Sequence, residues 1–106
     1  MIDNFLRGQA FLQEEFGVTP RIAWQLDPFG HSVGMAHLFQ LMGFEAVFMA
    51  RVDTSLHAAW ESSQELQFIW RPSFAGSEPL DGIFCHVLDK GLYRTHDDII
   101  VPNANE

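Results

Sequence analysis

The sequence of 106 residues is poor in cysteine and in basic side chains, and it contains no long apolar run. Cys85 is the only cysteine, so no disulfide can form within the chain, and a small buried hydrophobe is favoured over a reactive thiol. Six Lys and Arg stand against fourteen Asp and Glu. This balance argues against a nucleic-acid partner, which needs a basic surface. No apolar stretch approaches the ~18 residues of a membrane span.

The first residues, Met-Ile-Asp-Asn-Phe, also lack the basic and apolar regions of a signal peptide. In a complete protein this would suggest the cytoplasm, whereas in a fragment it carries no information. What the sequence does contain is 47% hydrophobic residues, including ten Phe and three Trp. We therefore expect a globular domain with an aromatic core or pocket. The net charge of −8 fits a neutral or cationic ligand, or an acidic compartment.

Helix-like and strand-like segments alternate along the chain, which predicts an α/β fold with a parallel sheet. Too few strands are present for a closed barrel of ~250 residues, and no strand precedes the first helix. We therefore expect residues 1–106 to be part of a larger barrel-type domain, without an internal boundary. The predicted helices cover 2–16, a segment from Ser32 to Met42, and 56–67, and the predicted strands cover 21–27, 45–51, 68–71 and 83–88.

Asp27 and Arg51 each end one of two consecutive predicted strands. Ligands of α/β proteins bind at the carboxyl ends of parallel strands, and neighbouring strands lie ~4.8 Å apart. An arginine beside a carboxylate favours its ionised form, which serves as a nucleophile or as a metal ligand. Spacing alone leaves open a plain salt bridge at the sheet edge, and Asp before Pro28 is also an ordinary turn former.

Three further features have two interpretations each. Phe29, beside the strand-end carboxylate, can stack on a sugar ring or belong to the core. His31 can orient the site or cap the turn that precedes the next helix. His96 and Asp98 can bind a metal together, although such a pair in a polar tail is usually solvated.

The residues around Asp27 resemble the catalytic motif of the family 38 glycoside hydrolases, the class II α-mannosidases. The motif lies in residues 17–32, which read Gly-Val-Thr-Pro-Arg-Ile-Ala-Trp-Gln-Leu-Asp-Pro-Phe-Gly-His-Ser. The resemblance continues through residues 38–39, 42–44, Arg51 and 68–71, and so covers most of the chain. A strand that contains Trp, followed by Asp-Pro-Phe-Gly-His-Ser, is far more specific than a generic glycine motif.

This resemblance implies a zinc-dependent, retaining α-mannosidase in which Asp27 is both the nucleophile and a zinc ligand. Phe29 corresponds to an aromatic residue of the sugar subsite, Arg51 to an arginine near the nucleophile, and Tyr93 to a tyrosine that contacts substrate. The loop around Tyr93 departs from the family pattern. The family's other zinc ligands and its acid/base Asp lie outside this segment, and His96 and Asp98 are on the wrong side of the motif to replace them. We therefore expect the segment alone to be inactive.

The resemblance also implies that the complete protein removes terminal mannose from N-glycans or glycoproteins, in the lysosome or the secretory-pathway lumen. The sequence is closer to the lysosomal branch than to the Golgi branch. Two alternatives stay open. The chain can be a truncated, non-catalytic fragment that binds carbohydrate or a partner. It can also be an independent small metal protein that uses Asp27, His96 and Asp98.

Overall fold

A computed structural model describes residues 1–73 and 81–89 of the chain. Helices and strands alternate along this part, so the predicted α/β class is confirmed. None of its helices is long and apolar enough to cross a membrane. The elements are α1 (Ile2–Phe16), β1 (Ile22–Gln25), α2 (Val33–Leu41), β2 (Ala46–Met49), α3 (Thr54–Ser63), β3 (Gln67–Trp70) and β4 (Ile83–Val87).

The ends of the helices follow local capping chemistry. Gly17 adopts a left-handed φ of 66° after α1, where its N–H donates to the Gln13 carbonyl, so the predicted cap is confirmed. The Ser32 hydroxyl accepts from the Met35 N–H at 3.1 Å and begins α2. Helix α3 begins earlier than the sequence predicted because Asp53 caps it. Hydrogen bonds from Ser55 and from the backbone N–H groups hold the pKa of Asp53 below its usual value.

The four strands form one sheet in the order β1-β2-β4-β3. The pairs β1–β2 and β2–β4 are parallel, whereas β3 is antiparallel to β4. The prediction of a wholly parallel sheet is therefore wrong for β3. The register pairs Gln67 with His86 and Trp70 with Ile83, which shows that β3 runs opposite to its neighbour β4.

One face of the sheet carries the hydrophobic core, and all three helices contribute to it. Phe39 of α2 is 2% exposed, and its ring meets those of Phe5 and Phe44 edge to face at 5.4 and 5.6 Å. Trp60 of α3 packs against Phe68 at 5.1 Å between ring centroids. The fully buried members of this cluster are Ala23, Ala36, Phe39, Phe44, Val47, Met49, Ile83, Cys85 and Val87.

The opposite face of the sheet, which we call the open face, carries the large apolar side chains of Ile22, Trp24, Phe48, Ile69 and Phe84. The same face also holds Ala46, Gln67 and His86, whose ring lies 5.0 Å from that of Phe48. Trp24 is 61% exposed and stacks on Phe48 at 5.8 Å. Ile22, Ile69 and Phe84 are also exposed. The sequence predicted a sheet covered on both faces, whereas no described helix covers this one. A contiguous apolar surface of this kind is typical of a face that contacts other protein.

We expect the isolated 106-residue chain to self-associate through the open face. Sedimentation velocity over a range of concentrations should show species larger than a monomer. Combining Ile22→Lys with Ile69→Lys should shift the distribution toward the monomer, because the added charges resist burial. Leu41→Lys, at an exposed position of α2 outside the open face, is the control and should change nothing. A wild-type chain that stays monomeric and unfolds reversibly would contradict this prediction.

Cys85 is fully buried in β4, as the sequence predicted for it. Burial raises the pKa of its thiol to about 11, from an ordinary value of 9.0. We expect iodoacetamide to alkylate it far more slowly in the folded chain than in urea at pH 8. Because the folded-state pKa is raised, this group stabilises the fold below pH 9 and its contribution is lost as the pH rises toward about 11. Equal alkylation rates with and without urea would refute the prediction.

Candidate active site

The strand register brings Asp27 and Arg51 together. In the β1–β2 pair, Ile22 lies opposite Ala46 and Gln25 lies opposite Met49. The paired residues are thus 24 positions apart in sequence. Asp27 and Arg51 lie two residues beyond the ends of their strands and are 24 positions apart as well. Arg51 Nε donates a hydrogen bond to Asp27 Oδ1. The two strand-end charges that the sequence singled out therefore form an ion pair at the carboxyl end of the parallel strands.

The same register creates a second ion pair at the amino end of the two strands. Arg21 donates to both carboxylate oxygens of Glu45, through Nε at 2.7 Å and through Nη2. These hydrogen bonds lower the pKa of Glu45 and raise that of Arg21. An ion pair across β1 and β2 is thus not by itself a sign of function. The surroundings of the Asp27–Arg51 pair must distinguish it.

Arg51 is held by two further contacts with side chains. Among the described residues Arg21 has neither of them, and its carbonyl accepts from the backbone N–H of Glu45 at 2.8 Å instead. The Arg51 guanidinium carbon lies 4.9 Å from the centre of the Phe29 ring, a cation–π distance. Its main-chain carbonyl accepts a hydrogen bond of 2.7 Å from His31 Nε2. Since a carbonyl can only accept, the His31 hydrogen lies on Nε2. Asp27, Phe29 and His31, all in the loop after β1, therefore meet one arginine.

Phe29 is 89% exposed, so its ring is not part of the core. Pro28 fixes one backbone dihedral of this loop, and Gly30 takes a positive φ of 125°, which few other residues tolerate. The loop therefore presents an aromatic ring to solvent next to an ion pair. Of the two interpretations that the sequence left open, the structure excludes the core position within the described residues.

A cavity of about 630 Å³ opens beside this arrangement. Phe29, His31 and Arg51 lie at its polar side, and Trp60, Phe68 and Trp70 are among the aromatic residues that line the rest. Asp27 itself does not line the cavity, and its side chain is 45% exposed against 43% for Arg51. The cavity combines aromatic faces with a few polar groups, which is typical of small-molecule sites.

The described residues do not form a complete metal site. Within residues 1–73 and 81–89, no three side chains of His, Cys, Asp or Glu lie close enough together to hold a metal ion. Zinc takes about four donors, and carboxylate oxygen is one of its ligand types. The exposed carboxylate of Asp27 could supply one such ligand, and a zinc site that includes it would need the other donors from outside the described residues. Tyr93, His96 and Asp98 lie outside the described residues.

One feature of the site was left open by the sequence, and another was not predicted. The sequence left open whether His31 orients the site or caps the turn, and in the structure Ser32 is the cap while His31 bonds to Arg51. The sequence assigned Phe68 and Trp70 to a strand but did not predict that they line the cavity. The alternation of these two aromatic residues across Ile69, with the same face toward α3, was the available signal.

Residues 1–105 match the family described as "Glycosyl hydrolases family 38 N-terminal domain". The match covers nearly the whole chain and places it among the glycoside hydrolases. The chain belongs to family 38, the class II α-mannosidases, and forms part of the family's N-terminal domain. The resemblance stated from the sequence is confirmed.

Individual relatives agree with the family assignment. The chain is 42% identical over 98 residues to the epididymis-specific alpha-mannosidase of Homo sapiens, covering 92% of this chain and 10% of that protein. It is 38% identical over 96 residues to the lysosomal alpha-mannosidase of Dictyostelium discoideum, covering 91% and 9%. A probable alpha-mannosidase of Arabidopsis thaliana is 42% identical over 123 residues, covering 100% and 12%. The chain thus spans about a tenth of the length of these curated relatives.

Proposed function

We propose that this chain is part of the catalytic domain of a zinc-dependent, retaining α-mannosidase, and that Asp27 is its nucleophile. One observation carries the proposal: the Asp27 carboxylate stands at the carboxyl end of two parallel strands, paired with Arg51 and next to an exposed aromatic ring. Membership of family 38 turns this arrangement from a generic strand-end ion pair into a candidate sugar-cleaving site.

In this mechanism the Asp27 carboxylate attacks the anomeric carbon of a terminal mannose. Arg51 donates to Oδ1, so we assign Oδ2 to bond formation. The C–O bond to the departing alcohol breaks as the glycosyl ester forms, and water later hydrolyses that ester. A retaining enzyme needs a second carboxyl group ~5–5.5 Å away as acid and base, and we expect it outside the described residues. Bound zinc would supply Lewis-acid contacts to sugar hydroxyls, with Asp27 as one of its ligands.

The aromatic residue of the loop suits a sugar subsite. The exposed ring of Phe29 can pack on the apolar face of a pyranose. The contact between this ring and the Arg51 guanidinium fixes the position of the ring. Arg51 also offers donors to sugar hydroxyls in the cavity that it lines. We assign substrate binding to Phe29, Arg51 and, by resemblance to the family, Tyr93.

The open face supports the proposal that residues 1–106 are an incomplete part of a barrel-type catalytic domain. Its apolar side chains would face the barrel interior and be covered by strands from the rest of the domain. We propose mannose-containing oligosaccharides or glycoproteins as substrates, and the lysosome or the secretory-pathway lumen as the location. The alpha-mannosidase names of the relatives support mannose as the sugar, and the name of the lysosomal relative supports the location.

Covalent trapping in the full-length protein that carries this segment tests the proposal. A fluorinated mannosyl fluoride, which forms the glycosyl ester quickly and releases it slowly, should label the protein once. Mass spectrometry of the peptides should then place the label on Asp27. A label on another carboxylate would overturn the nucleophile assignment. No turnover of an aryl α-mannoside by the wild-type protein would instead favour the non-catalytic, carbohydrate-binding alternative.

A further inference from the structure

We propose that His31 is a positioning residue, which holds Arg51 on Asp27 by binding the arginine main chain. This inference rests on the proposed role of Asp27. It assigns His31 no contact with the sugar, and it concerns how the ion pair is kept in place. The juxtaposition that carries it is a pair of contacts between two loops, Arg51 Nε to Asp27 Oδ1 and His31 Nε2 to the Arg51 carbonyl.

Within residues 1–73 and 81–89, no hydrogen bond of the sheet ladder reaches Arg51. Strand β2 ends at Met49, whose carbonyl accepts the last bond from the β4 side, from the Leu88 N–H at 2.9 Å. Arg51 lies two residues beyond this point. Its carbonyl is instead anchored by the His31 imidazole at 2.7 Å. The direction in which the Arg51 side chain leaves the backbone therefore depends on His31.

The ion pair alone is a weak restraint. Both of its side chains are roughly half exposed, and exposed ion pairs contribute little because water screens them and long side chains lose freedom when they pair. With the His31 bond, the loop after β1 makes two hydrogen bonds with Arg51. The Asp27 carboxylate accepts from the arginine side chain, and the His31 imidazole donates to the arginine carbonyl. Two contacts on opposite ends of one arginine define its position far better than one.

His57 provides a matched structural control within the same chain. Its Nε2 bonds to the carbonyl of Leu88 at 2.9 Å, just after β4. His57 lies in α3, whereas His31 lies in a loop, but both imidazoles reach the carbonyl of a residue just beyond another strand. The other ring nitrogen of His57 lies 4.0 Å from a Glu61 carboxylate oxygen. Unlike His31, His57 contacts neither Asp27 nor Arg51 and does not line the cavity of about 630 Å³. Loss of this bond should affect stability without affecting the site.

Amide substitutions separate the positioning role from a general structural one. The Gln amide nitrogen occupies about the place of the histidine Nε2 and can donate to the carbonyl, whereas the shorter Asn amide reaches only the place of Nδ1. In the full-length protein, we expect His31→Asn to lower kcat for an aryl α-mannoside by about 10–100-fold with little change in KM. His31→Gln should recover most of that loss. His57→Asn should lower the melting temperature and leave kcat within about threefold of wild type, a ratio that corresponds to well under one kcal/mol.

Three results would overturn the proposal: His31→Asn with wild-type kcat, His31→Gln as impaired as His31→Asn, or His57→Asn with an equal loss of kcat. Melting temperatures are measured for every variant. If His31→Asn does not fold, His31→Gln decides, since an unfolded or inactive Gln variant also counts against positioning by the Nε2 donor. Failure of the proposed function is seen separately, as a wild-type protein that does not turn over the mannoside or is labelled away from Asp27.

Discussion

Replacing Asp27 by Asn in the full-length protein is expected to lower kcat for an aryl α-mannoside by about 10⁴-fold or more, the scale of loss seen when an enzyme nucleophile is removed. The amide is neutral and cannot form a glycosyl ester with the anomeric carbon. Asn keeps the size of the side chain and can still accept one hydrogen bond from Arg51, so the loop should keep its conformation. Steady-state kinetics, with circular dichroism to confirm folding, provide the measurement.

The second ion pair of the β1–β2 register is the control for this substitution. Glu45→Gln removes the same charge from a carboxylate that pairs with an arginine 24 residues away, at the amino end of the same strands. Glu45 is exposed and remote from the cavity beside Arg51, so we expect unchanged kcat and little change in melting temperature. An Asp27→Asn variant that keeps more than a few per cent of the activity would refute the nucleophile assignment.

Local sequence signals predicted α1 and the place of Asp27 just beyond β1 well, whereas the predicted helix 56–67 is observed at Thr54–Ser63. The bounds of α1 and its cap at Gly17 agree with the structure because both depend on residues close together in the chain. Asp27 and Arg51 also meet as predicted. Paired residues of β1 and β2 keep a constant separation of 24 residues in sequence. Residues just beyond the strand ends with the same separation, such as Asp27 and Arg51, are therefore neighbours.

Features that depend on the direction of a strand or on contacts between loops could not be predicted in this way. The residues of β3 have the composition of a strand in either direction, and only the pairing with β4 reveals that it runs antiparallel. The bond from His31 to the Arg51 carbonyl joins a side chain to a backbone group, and backbone groups leave no trace in the sequence. The open face depends on which helices cover the sheet, which is a property of the whole domain.

The candidate site shows the same division. An ion pair at a strand end was predictable, yet Arg21 and Glu45 form one with equally close contacts. A cavity of about 570 Å³ lies beside that pair too, but none of the described residues that line it is aromatic. Geometry of the pair therefore does not separate function from a closed sheet edge. What distinguishes the Asp27–Arg51 pair from the Arg21–Glu45 pair is the exposed ring of Phe29 and the family motif around Asp27. Only the motif can be recognised from the sequence alone.

The largest effect on stability is expected for Phe39→Ala. Its ring is 2% exposed and contacts the rings of Phe5 and Phe44, which joins α2 to α1 and to the segment between α2 and β2. Loss of a buried Phe costs about 3–5 kcal/mol through lost burial and an unfilled cavity, out of the ~5–15 kcal/mol that stabilise a typical domain. Urea unfolding should be measured in the chain that carries Ile22→Lys and Ile69→Lys, so that self-association does not obscure the transition.

This substitution should also release α1 before the rest of the domain unfolds. No residue of α1 is fully buried, and the helix is attached mainly by the Phe5 ring and by the bond from Gln9 Nε2 to the Met42 carbonyl at 3.1 Å. Amide hydrogen exchange in α1 should therefore accelerate more than exchange in β2. Leu41→Ala, at a position of α2 that is 64% exposed, is the control and should stay within about 0.5 kcal/mol of its background. If α1 stays as protected as β2 in Phe39→Ala, the three phenylalanine rings are not what attaches that helix to the sheet.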